Sequence, residues 1–301
     1  MTVSYCIPLY NKERYIAAVV EAAVQERAAT GGEVLVYDDA STDGSLALVA
    51  ALAARHPITL IEGGTNRGVF AATNILIDRA KQPHLRLIDA DDQALPGSTA
   101  HLLGLLQRHD AVLARGVCGS ATPPAQDYAA AAVVVEDRPF SGLLRNVDFN
   151  LSASVMPAAA LRSVLPLPQG LQISQDVCVA LRLAKAGRFV RSTAIVTAQP
   201  VEAANRLSRR VAAMYRDICL IIAGELGTGV TRRDAAYAAR RQAARCTRYF
   251  RREAPGCLGA GDKAFLTRCR MALPVEPIAT QAARLRQIAE LYQRDADRVL
   301  S

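Results

Sequence analysis

The sequence predicts an α/β fold, in which a mostly parallel sheet is flanked by helices and followed by a C-terminal helical extension. Two observations support this prediction. Short apolar runs alternate with helix-length segments, and the runs are apolar along almost their whole length. Such runs are typical of parallel strands that are covered on both faces. A hydrophobic content of 51% in 301 residues is ample for the core of such a fold.

The strands and helices are predicted in a regular order. The first five strands are "VSYCIPL", "EVLVYDD", "ITLIEG", "HLRLIDADD" and "DAVLARGVCG", and the helices between them are "KERYIAAVVEAAVQERA", "GSLALVAALAARH", "GVFAATNILIDRA" and "PGSTAHLLGLLQRH". The last helix begins with proline, which suits a first helical position. After a weaker stretch, helix "RPFSGLLRN", strand "NLSASVMP", helix "SQDVCVALRLAKAG" and strand "RFVRSTAIVTA" are predicted, and the chain beyond residue 203 is predicted to be helical.

The charge of the chain is uneven and suggests a domain boundary near residue 202. Residues 203–301 contain 19 Lys and Arg against 9 Asp and Glu, a net charge of +10. Residues 1–202 contain 17 and 19, a net charge of −2, which accounts for the total of +8. A basic extension is typical of a surface that meets the phosphates of a membrane or of nucleic acid. Solvated arginine-rich helices would give the same composition.

The seven cysteines and the start of the chain indicate a cytoplasmic protein. The number of cysteines is odd and no C-x-x-C occurs, which argues against a disulfide framework and against a cysteine-based zinc site. Reduced thiols are the expected state. The first residues do not resemble a signal peptide, and no apolar run approaches the roughly 18 residues of a transmembrane helix.

Polar residues follow each of the first four predicted strands, in "PLYNK", "DDASTD", "GGTNRG" and "DADD". In open α/β sheets, ligands bind beyond the carboxyl ends of the strands, so these residues are the candidates for a site. Asp89, Asp91 and Asp92 are close enough to repel each other, and a divalent cation would relieve that repulsion. Mg²⁺ or Mn²⁺ often binds through one or two carboxylates and substrate phosphates. Acids that cap the following helix are the alternative interpretation.

Two other classes of protein place acids at strand ends, and the positions here disfavour both. A haloacid-dehalogenase-type phosphatase has its D-x-D after the first strand, whereas here it follows the fourth. A receiver domain has its acid pair after the first strand, whereas here Asp38 and Asp39 follow the second.

Five stretches in order resemble the family 2 glycosyltransferases, which are inverting enzymes with a GT-A fold. "VSYCIPLYNKERYI" resembles the first strand of the family and its P-x-Y-N turn, and "VYDDASTDGS" is similar to its D-D-x-S-x-D segment. "GGTNRGVFAATNILIDRA" resembles its N-x-G-x-x-x-A-x-N segment, and "LIDADD" its D-x-D site. "SQDVCVALRLAKAGRF" resembles the acidic segment that carries the catalytic base. The resemblance covers about residues 1–200 and implies a nucleotide-sugar-binding part over 1–118 and an acceptor-binding part over 119–202.

The resemblance implies a binding site for the nucleotide base. Pro8 and Tyr10 would line the base, Asn11 would shape its pocket, and Asp39 would hydrogen-bond to it. Arg67 would lie near the donor phosphates. Purely structural alternatives remain open, since Tyr10 and Asn11 would also suit a simple turn, and Asp38 and Asp39 would suit an Asx-turn.

The resemblance also implies the sites of metal binding and of catalysis. Asp89 would hold the ribose, and Asp91 would bind the metal with help from Asp92. Asp176 would be the general base that takes the proton of the acceptor hydroxyl as it attacks the anomeric carbon. Asp176 would equally suit an N-cap of its helix, and Asn74 is expected to be structural.

The sequence departs from the family pattern at two places. The acidic pair is Gln175–Asp176, so its first acid is missing. Many members carry a metal-binding His after the last strand, whereas "TAQPVEAANRLSRR" has none, leaving Gln199, Glu202 or Asn205 nearby. A catalytically impaired binding module is therefore one alternative. A nucleotidyltransferase is another, although "IPLYNKER" lacks the glycines of a phosphate loop.

The expected function is transfer of one sugar from a nucleotide-sugar, a UDP-sugar being favoured, to a glycan or lipid-linked acceptor in cell-surface polysaccharide synthesis. Transfer of a single sugar is expected because the chain has no Trp and hence no Q-x-x-R-W, the segment typical of processive synthases. The expected cofactor is Mn²⁺ or Mg²⁺. We expect residues 203–301 to contact anionic lipid at the cytoplasmic face of the membrane, and no nucleic acid partner is expected.

Overall fold

The chain forms two compact units, each built from several segments. The computed structural model describes residues 1–120, 126–145, 149–200 and 210–300. Unit 1 consists of Met1–Pro139, Phe149–Gly170 and Ala186–Ala204, and unit 2 consists of Phe140–Asp148, Leu171–Lys185 and Asn205–Ser301. The C-terminal helices thus share a unit with two segments that precede residue 202, whereas the sequence predicted a single boundary there.

The strands of unit 1 form one mixed sheet in the order β3-β2-β1-β4-β8-β6-β9-β5, with β7 paired to β9. The strands are β1 (Val3–Leu9), β2 (Gly32–Asp38), β3 (Ile58–Glu62), β4 (His84–Leu87), β5 (Gln93–Ala94), β6 (Leu113–Ser120), β7 (Val133–Glu136), β8 (Ser154–Pro157) and β9 (Phe189–Gln199). The first four are parallel, as the apolar runs predicted. In the other half, β6 and β9 are parallel, whereas β8 runs antiparallel to β4 and β6.

The predicted helices occur in the predicted order, and the short helix Ala158–Arg162 was not predicted. The helices are α1 (Ile16–Thr30), α2 (Ser45–Ala53), α3 (Val69–Arg79), α4 (Ser98–His109), α5 (Pro139–Arg145), α6 (Ala158–Arg162), α7 (Gln175–Ala186), α8 (Val211–Glu225), α9 (Arg232–Arg252), α10 (Ala260–Arg270) and α11 (Ile278–Leu300). Helix α11 packs against α8 and α9, and α10 packs against α9. Within the described ranges, no helix combines the length and the apolar character needed to cross a membrane.

Aliphatic side chains form the core of unit 1, whereas aromatic side chains contribute strongly to that of unit 2. The unit 1 core combines strands β1, β2 and β9 with helices α1 and α4. In unit 2, the rings of Tyr215, Tyr249, Phe250 and Tyr292 contact one another, with centroids 5.2–6.1 Å apart. Such ring pairs add to the free energy gained by burying their area. All seven cysteines are free thiols, and five of them are buried.

A buried ion network stabilises the middle of unit 1. Arg86 lies on β4 and is fully buried. Its guanidinium donates five hydrogen bonds, to Ser152 O, Ser98 Oγ, Thr99 Oγ1, Val196 O and Thr197 Oγ1. The carboxylate of Glu26 lies 3.8 Å from Arg86 and accepts the backbone N–H groups of Gly97 and Thr99, which begin α4. The charges of a buried arginine and carboxylate are tolerated because each has several partners.

Candidate active site

The carboxyl ends of β2, β1 and β4 lie side by side, because these three strands are parallel neighbours. In the register of β1, Leu9 pairs with Asp38 on one side and Cys6 pairs with Leu87 on the other. The polar segments that follow the three strands therefore meet at one edge of the sheet. This edge contains all the predicted site residues except Asp176.

Asp39 holds the turn that begins α3. Its side chain is buried, and its two carboxylate oxygens accept the backbone N–H groups of Arg67, at 2.9 Å, and of Gly68, at 2.7 Å. Gly68 has a φ of +83°, a conformation that favours glycine. Asp39 and Arg67, two of the predicted site residues, therefore lie close together. Their recorded contact is through the Arg67 backbone, and the Arg67 side chain is exposed.

Asn11 ties the turn after β1 to the loop after β2. Its side chain accepts from the backbone N–H of Thr42 and donates to the Thr42 hydroxyl, and its own N–H donates to Ser41 Oγ. Asn11 has a φ of +50°, a left-handed conformation that asparagine tolerates well. Asn11 therefore lies in a turn, and its role at a nucleotide base stays a prediction. Asp38 likewise accepts from the N–H of Ser41, three residues on, which is one residue further than in an Asx-turn.

Pro8 and Tyr10 lie at the same edge. Pro8 belongs to β1 and pairs with Tyr37 of β2. Tyr10 follows the strand directly, and its side chain is 43% exposed. An exposed ring at the end of a central strand is available to stack on a planar ligand.

The segment that contains Asp89, Asp91 and Asp92 is a tight turn after β4, called the acidic turn below. The N–H of Asp92 donates to the carbonyl of Asp89, and the N–H of Asp89 donates to Ser152 Oγ. The carbonyl of Ser152 in turn accepts from Arg86 in the buried network. The network of unit 1 thus positions the acidic turn through Ser152.

Lys12 pairs with Asp91. The Lys12 Nζ atom lies 2.7 Å from Asp91 Oδ2, and both side chains are mostly buried. Lys12 was not among the predicted site residues, although "PLYNK" places it just beyond β1. The contact between Lys12 and Asp91 can be predicted only when the strand order is known, because β1 and β4 are neighbours and their ends lie together.

Asp92 is 1% exposed and accepts hydrogen bonds from two amide side chains. Gln199, the last residue of β9, donates to Asp92 Oδ2 at 3.0 Å, and Asn150 donates to the same oxygen at 3.4 Å. Gln199 therefore lies beside the acidic turn, as the sequence suggested for a residue in place of the missing His. The other two candidates, Glu202 and Asn205, lie outside the described residues.

The acidic turn offers few protein ligands, so it suits only a divalent cation that takes most of its ligands from substrate and water. Within residues 1–120, 126–145, 149–200 and 210–300, no three His, Cys, Asp or Glu side chains form a group that could hold a metal ion. A cage made wholly of protein ligands is therefore not present in that part of the chain. One or two of the carboxylates, completed by phosphate oxygens and water, is a normal coordination for Mg²⁺ or Mn²⁺.

Asp176 lies in unit 2, in the first turn of α7. Its Oδ1 accepts the N–H of Val177 at 2.8 Å, and the side chain is partly exposed. Burial raises the pKa of Asp176 to about 6, and backbone hydrogen bonds oppose this shift. A carboxyl with such a pKa suits proton transfer near neutral pH. Gln175, which replaces the first acid of the expected pair, is buried.

Asn74 has a structural role, as the sequence suggested. Its side-chain amide donates to the carbonyl of Leu167 and accepts from the Leu167 N–H, at 3.3 and 2.9 Å. These two hydrogen bonds attach α3 to the segment that follows α6.

Known proteins resemble this chain in sequence over limited stretches. The chondroitin synthase of Escherichia coli is 33% identical over 90 residues, which are 30% of this chain and 13% of the synthase. The succinoglycan biosynthesis protein ExoO of Rhizobium meliloti (strain 1021) is 33% identical over 109 residues, which are 36% of this chain and 30% of ExoO. The matched stretches thus span less than a third of the length of either relative.

Solved structures resemble this chain over nearly its whole length. TarS 1-349 of S. aureus in complex with UDP-GlcNAc has a TM-score of 0.70 over 98% of this chain and 92% of that chain, at 16% identity. The mannosyltransferase PcManGT from Pyrobaculum calidifontis, in complex with GDP-Man and Mn²⁺, has a TM-score of 0.60 over 97% of this chain and 87% of that chain, at 18% identity. At these identities the likeness concerns the fold, and it confirms the expected GT-A type.

The sequence also matches a protein-family model over the segments that form this edge of the sheet. The Glycosyl transferase family 2 model matches residues 4–164, just over half of the 301 residues. This range includes β1, β2, β4 and the acidic turn. The chain therefore belongs to glycosyl transferase family 2.

Proposed function

We propose that this protein transfers one sugar from a nucleotide-diphosphosugar to a hydroxyl of a glycan or lipid-linked acceptor in polysaccharide synthesis. The observation that carries the proposal is the acidic turn after β4 beside the ends of β1 and β2, in a chain of glycosyl transferase family 2. A UDP-sugar is the favoured donor, and the UDP-GlcNAc bound by TarS supports that choice.

In this proposal, unit 1 binds the donor. Tyr10 and Pro8 line the nucleotide base, and Asp39 with Asn11 shapes the pocket by holding the two neighbouring turns. Arg67 gives a positive charge near the phosphates.

Asp89 holds the ribose, and Asp91 with Asp92 would hold Mn²⁺ or Mg²⁺. The bound cation would neutralise charge on the diphosphate leaving group. Lys12 supplies a second positive charge beside Asp91. The Mn²⁺ bound by the mannosyltransferase PcManGT supports a divalent metal.

Asp176 takes the role of general base. Its carboxylate accepts the proton of the acceptor hydroxyl while the hydroxyl oxygen forms a bond to the anomeric carbon. The bond from that carbon to the phosphate oxygen breaks, and the nucleoside diphosphate leaves. A single displacement of this kind inverts the configuration at the anomeric carbon. A pKa of about 6 leaves the Asp176 carboxylate ionised at neutral pH.

A thermal-shift screen tests the donor site directly. The purified protein is heated with UDP, GDP, dTDP or CMP, with and without Mn²⁺. A ligand that binds only the folded state raises the melting temperature. At a hundred times its Kd, such a ligand adds about 2.7 kcal/mol to the free energy of unfolding. We expect UDP with Mn²⁺ to give the largest rise, and Asp91→Asn to abolish the part that depends on Mn²⁺.

Asp110→Asn is the matched control. Asp110 is exposed and has a φ of +46°, which asparagine also adopts, so the variant should behave as wild type. A screen in which no nucleotide raises the melting temperature would contradict the donor site. Nucleotide binding without hydrolysis or transfer of the matching nucleotide-sugar would favour the impaired binding module.

A further inference from the structure

A surface cavity of about 470 Å³ in unit 2 is lined almost wholly by arginine. Its lining residues are Tyr237, Arg240, Arg241, Ala244, Arg248 and Arg270. Five of the six lie on α9, and Arg270 is the last residue of α10. The cavity therefore lies within a single unit and is distinct from the sheet edge described above.

The sequence of α9 creates this cavity through its helical spacing. Tyr237, Arg241, Ala244 and Arg248 recur at intervals of three or four residues, so they share one face of the helix. Alanines such as Ala239 and Ala243 occupy the buried face. Ala244 has a short side chain, and it leaves space between the longer side chains on either side of it.

The arginines of the cavity lack the acidic partners that other arginines of unit 2 have. Arg216, Arg284, Arg294 and Arg298 each form an ion pair with a carboxylate. By contrast, in the part of the chain that the structure describes, no carboxylate pairs with the cavity arginines, which are Arg240, Arg241, Arg248 and Arg270.

Two of the cavity arginines, Arg240 and Arg241, have few hydrogen-bond acceptors among the described residues. Arg240 donates one hydrogen bond, to the carbonyl of Ala272 at 3.2 Å. The Nε of Arg241 is buried and has no hydrogen-bond partner among the described residues. A buried donor without an acceptor costs free energy. An anion in the cavity would neutralise guanidinium charges that no carboxylate of the described residues neutralises.

We propose that this cavity binds a phosphate or diphosphate group. Guanidinium groups match the oxygens of phosphate with paired N–H donors, and several of them suit an anion with more than one negative charge. The ring of Tyr237 is itself held by Arg145, whose guanidinium lies 5.8 Å from the ring centre. The phosphate belongs either to a soluble molecule or to a lipid headgroup, and the chemistry of recognition is the same for both. This site requires nothing of the proposed donor site.

The first experiment measures binding of inorganic pyrophosphate by isothermal titration calorimetry at constant ionic strength. EDTA is present, so that binding through a metal at the acidic turn does not contribute. Ala244→Glu places a carboxylate between the arginines, whereas Ala244→Gln places a neutral group of the same size there. We expect Ala244→Glu to weaken pyrophosphate binding about tenfold or more relative to Ala244→Gln. Equal affinities of the two variants would overturn the proposal.

A second pair of variants removes the charge instead of opposing it. The double variant Arg241→Gln, Arg248→Gln should lose affinity for pyrophosphate, whereas Arg286→Gln should not. Arg286 is an exposed arginine of α11 outside the cavity. Unchanged affinity in the double variant, or an equal loss in Arg286→Gln, would also overturn the proposal. Circular dichroism of each variant checks that unit 2 remains folded.

Vesicle flotation then identifies the source of the phosphate. Wild type and both Ala244 variants are mixed with phosphatidylcholine vesicles that contain or lack phosphatidylglycerol. If the cavity binds a lipid headgroup, Ala244→Glu will reduce binding to the anionic vesicles and Ala244→Gln will not. If it binds a soluble phosphate compound, the variants will differ with pyrophosphate alone. If they differ with neither probe, the site is not a phosphate site.

Discussion

The acidic turn of unit 1 and the arginine cavity of unit 2 differ in how far the protein itself satisfies their charges. In unit 1, Asp39 accepts two backbone N–H groups, Asp91 pairs with Lys12, and Asp92 accepts two side-chain amides. In unit 2, the cavity arginines have no carboxylate partner among the described residues. The acidic turn is thus preformed by internal partners, whereas the charges of the cavity are left for a ligand to neutralise.

The consequences of the two arrangements are different. Removing a partner within unit 1 should destabilise the fold, because the remaining group loses its hydrogen bonds. Removing Arg248 or Arg270, which are exposed, should affect binding and leave stability nearly unchanged, since exposed charges contribute little to stability.

Asp176→Asn should have the largest effect, and it concerns a carboxyl whose pKa is raised. Loss of a general base lowers the rate by roughly 10²- to 10⁴-fold. In the wild type, only the ionised form accepts a proton, so kcat/KM should fall about tenfold per pH unit below a pKa of about 6. The measurement is a pH–rate profile with the donor that the thermal-shift screen identifies.

The Asp176→Asn profile should lose this acidic limb. A variant that keeps both the rate and the limb would show that another group is the base. The same pKa predicts a stability effect of defined sign. Because burial raises the pKa, the neutral carboxyl favours folding at low pH, and this contribution is lost as the pH rises through about 6.

Glu26→Ala should cause the largest loss of stability. The variant leaves Arg86 without its nearby charge and leaves the N–H groups of Gly97 and Thr99 without their acceptor. Breaking a buried ion pair in this way costs about 3–5 kcal/mol. Urea denaturation followed by circular dichroism would measure the loss. Glu26→Gln keeps an acceptor oxygen and should lose less, and equal losses in the two variants would show that the acceptor oxygens contribute nothing beyond the charge of Glu26.

Asp39→Ala should cost about 2 kcal/mol of unfolding free energy, because two backbone N–H groups lose a charged acceptor. Asp39→Asn keeps one acceptor oxygen and should lose roughly half of that. The same thermal-shift experiment gives both the stability and the response to UDP. If Asp39→Ala melts at the wild-type temperature, the turn at Arg67 and Gly68 is held by other contacts.

Several features of the fold follow from local sequence, and others depend on neighbours that are distant in the chain. Continuous apolar runs correctly predicted β1, β2 and β4, because a strand covered on both faces is apolar along its length. The direction of β8 has no local signature, and it proved antiparallel to both neighbours. The valines of β7 are exposed, so this edge strand lacks the burial pattern that would have predicted it.

The candidate site shows the same limit. The acids of the turn after β4 were predicted because a cluster of like charges needs a reason. Lys12 was missed because its partner Asp91 lies 79 residues away in the chain, and only the order of the strands joins them. Arg86 was missed because a charged residue inside an apolar strand gives no sign of the partners that will satisfy it.

Lys12→Met should strengthen the binding of a divalent cation at the acidic turn. The ammonium group occupies Asp91, so it should oppose the binding of a second cation there. Removing a positive charge that lies near a cation is worth about 1 kcal/mol in a water-like environment, or about fivefold in affinity. We expect Lys12→Met to lower the Mn²⁺ concentration that gives half of the thermal shift with UDP. Lys12→Arg keeps the charge and serves as the control, and an identical Mn²⁺ midpoint in Lys12→Met would contradict this expectation.

Thr231→Ala should have the smallest effect, and it tests the helix that carries the arginines. Thr231 caps α9, because its hydroxyl oxygen accepts the N–H of Asp234 and its hydroxyl donates to the Asp234 carboxylate. Loss of such a cap costs about 1 kcal/mol. Thr267→Ala is the matched control, since the Thr267 hydroxyl donates only to a carbonyl within α10. If Thr231→Ala lowers stability by this amount but leaves pyrophosphate binding intact, then the cavity depends on the arginines of α9 rather than on the end of the helix. A loss of binding equal to that of Ala244→Glu would instead show that the start of α9 must be fixed before its arginines can act together.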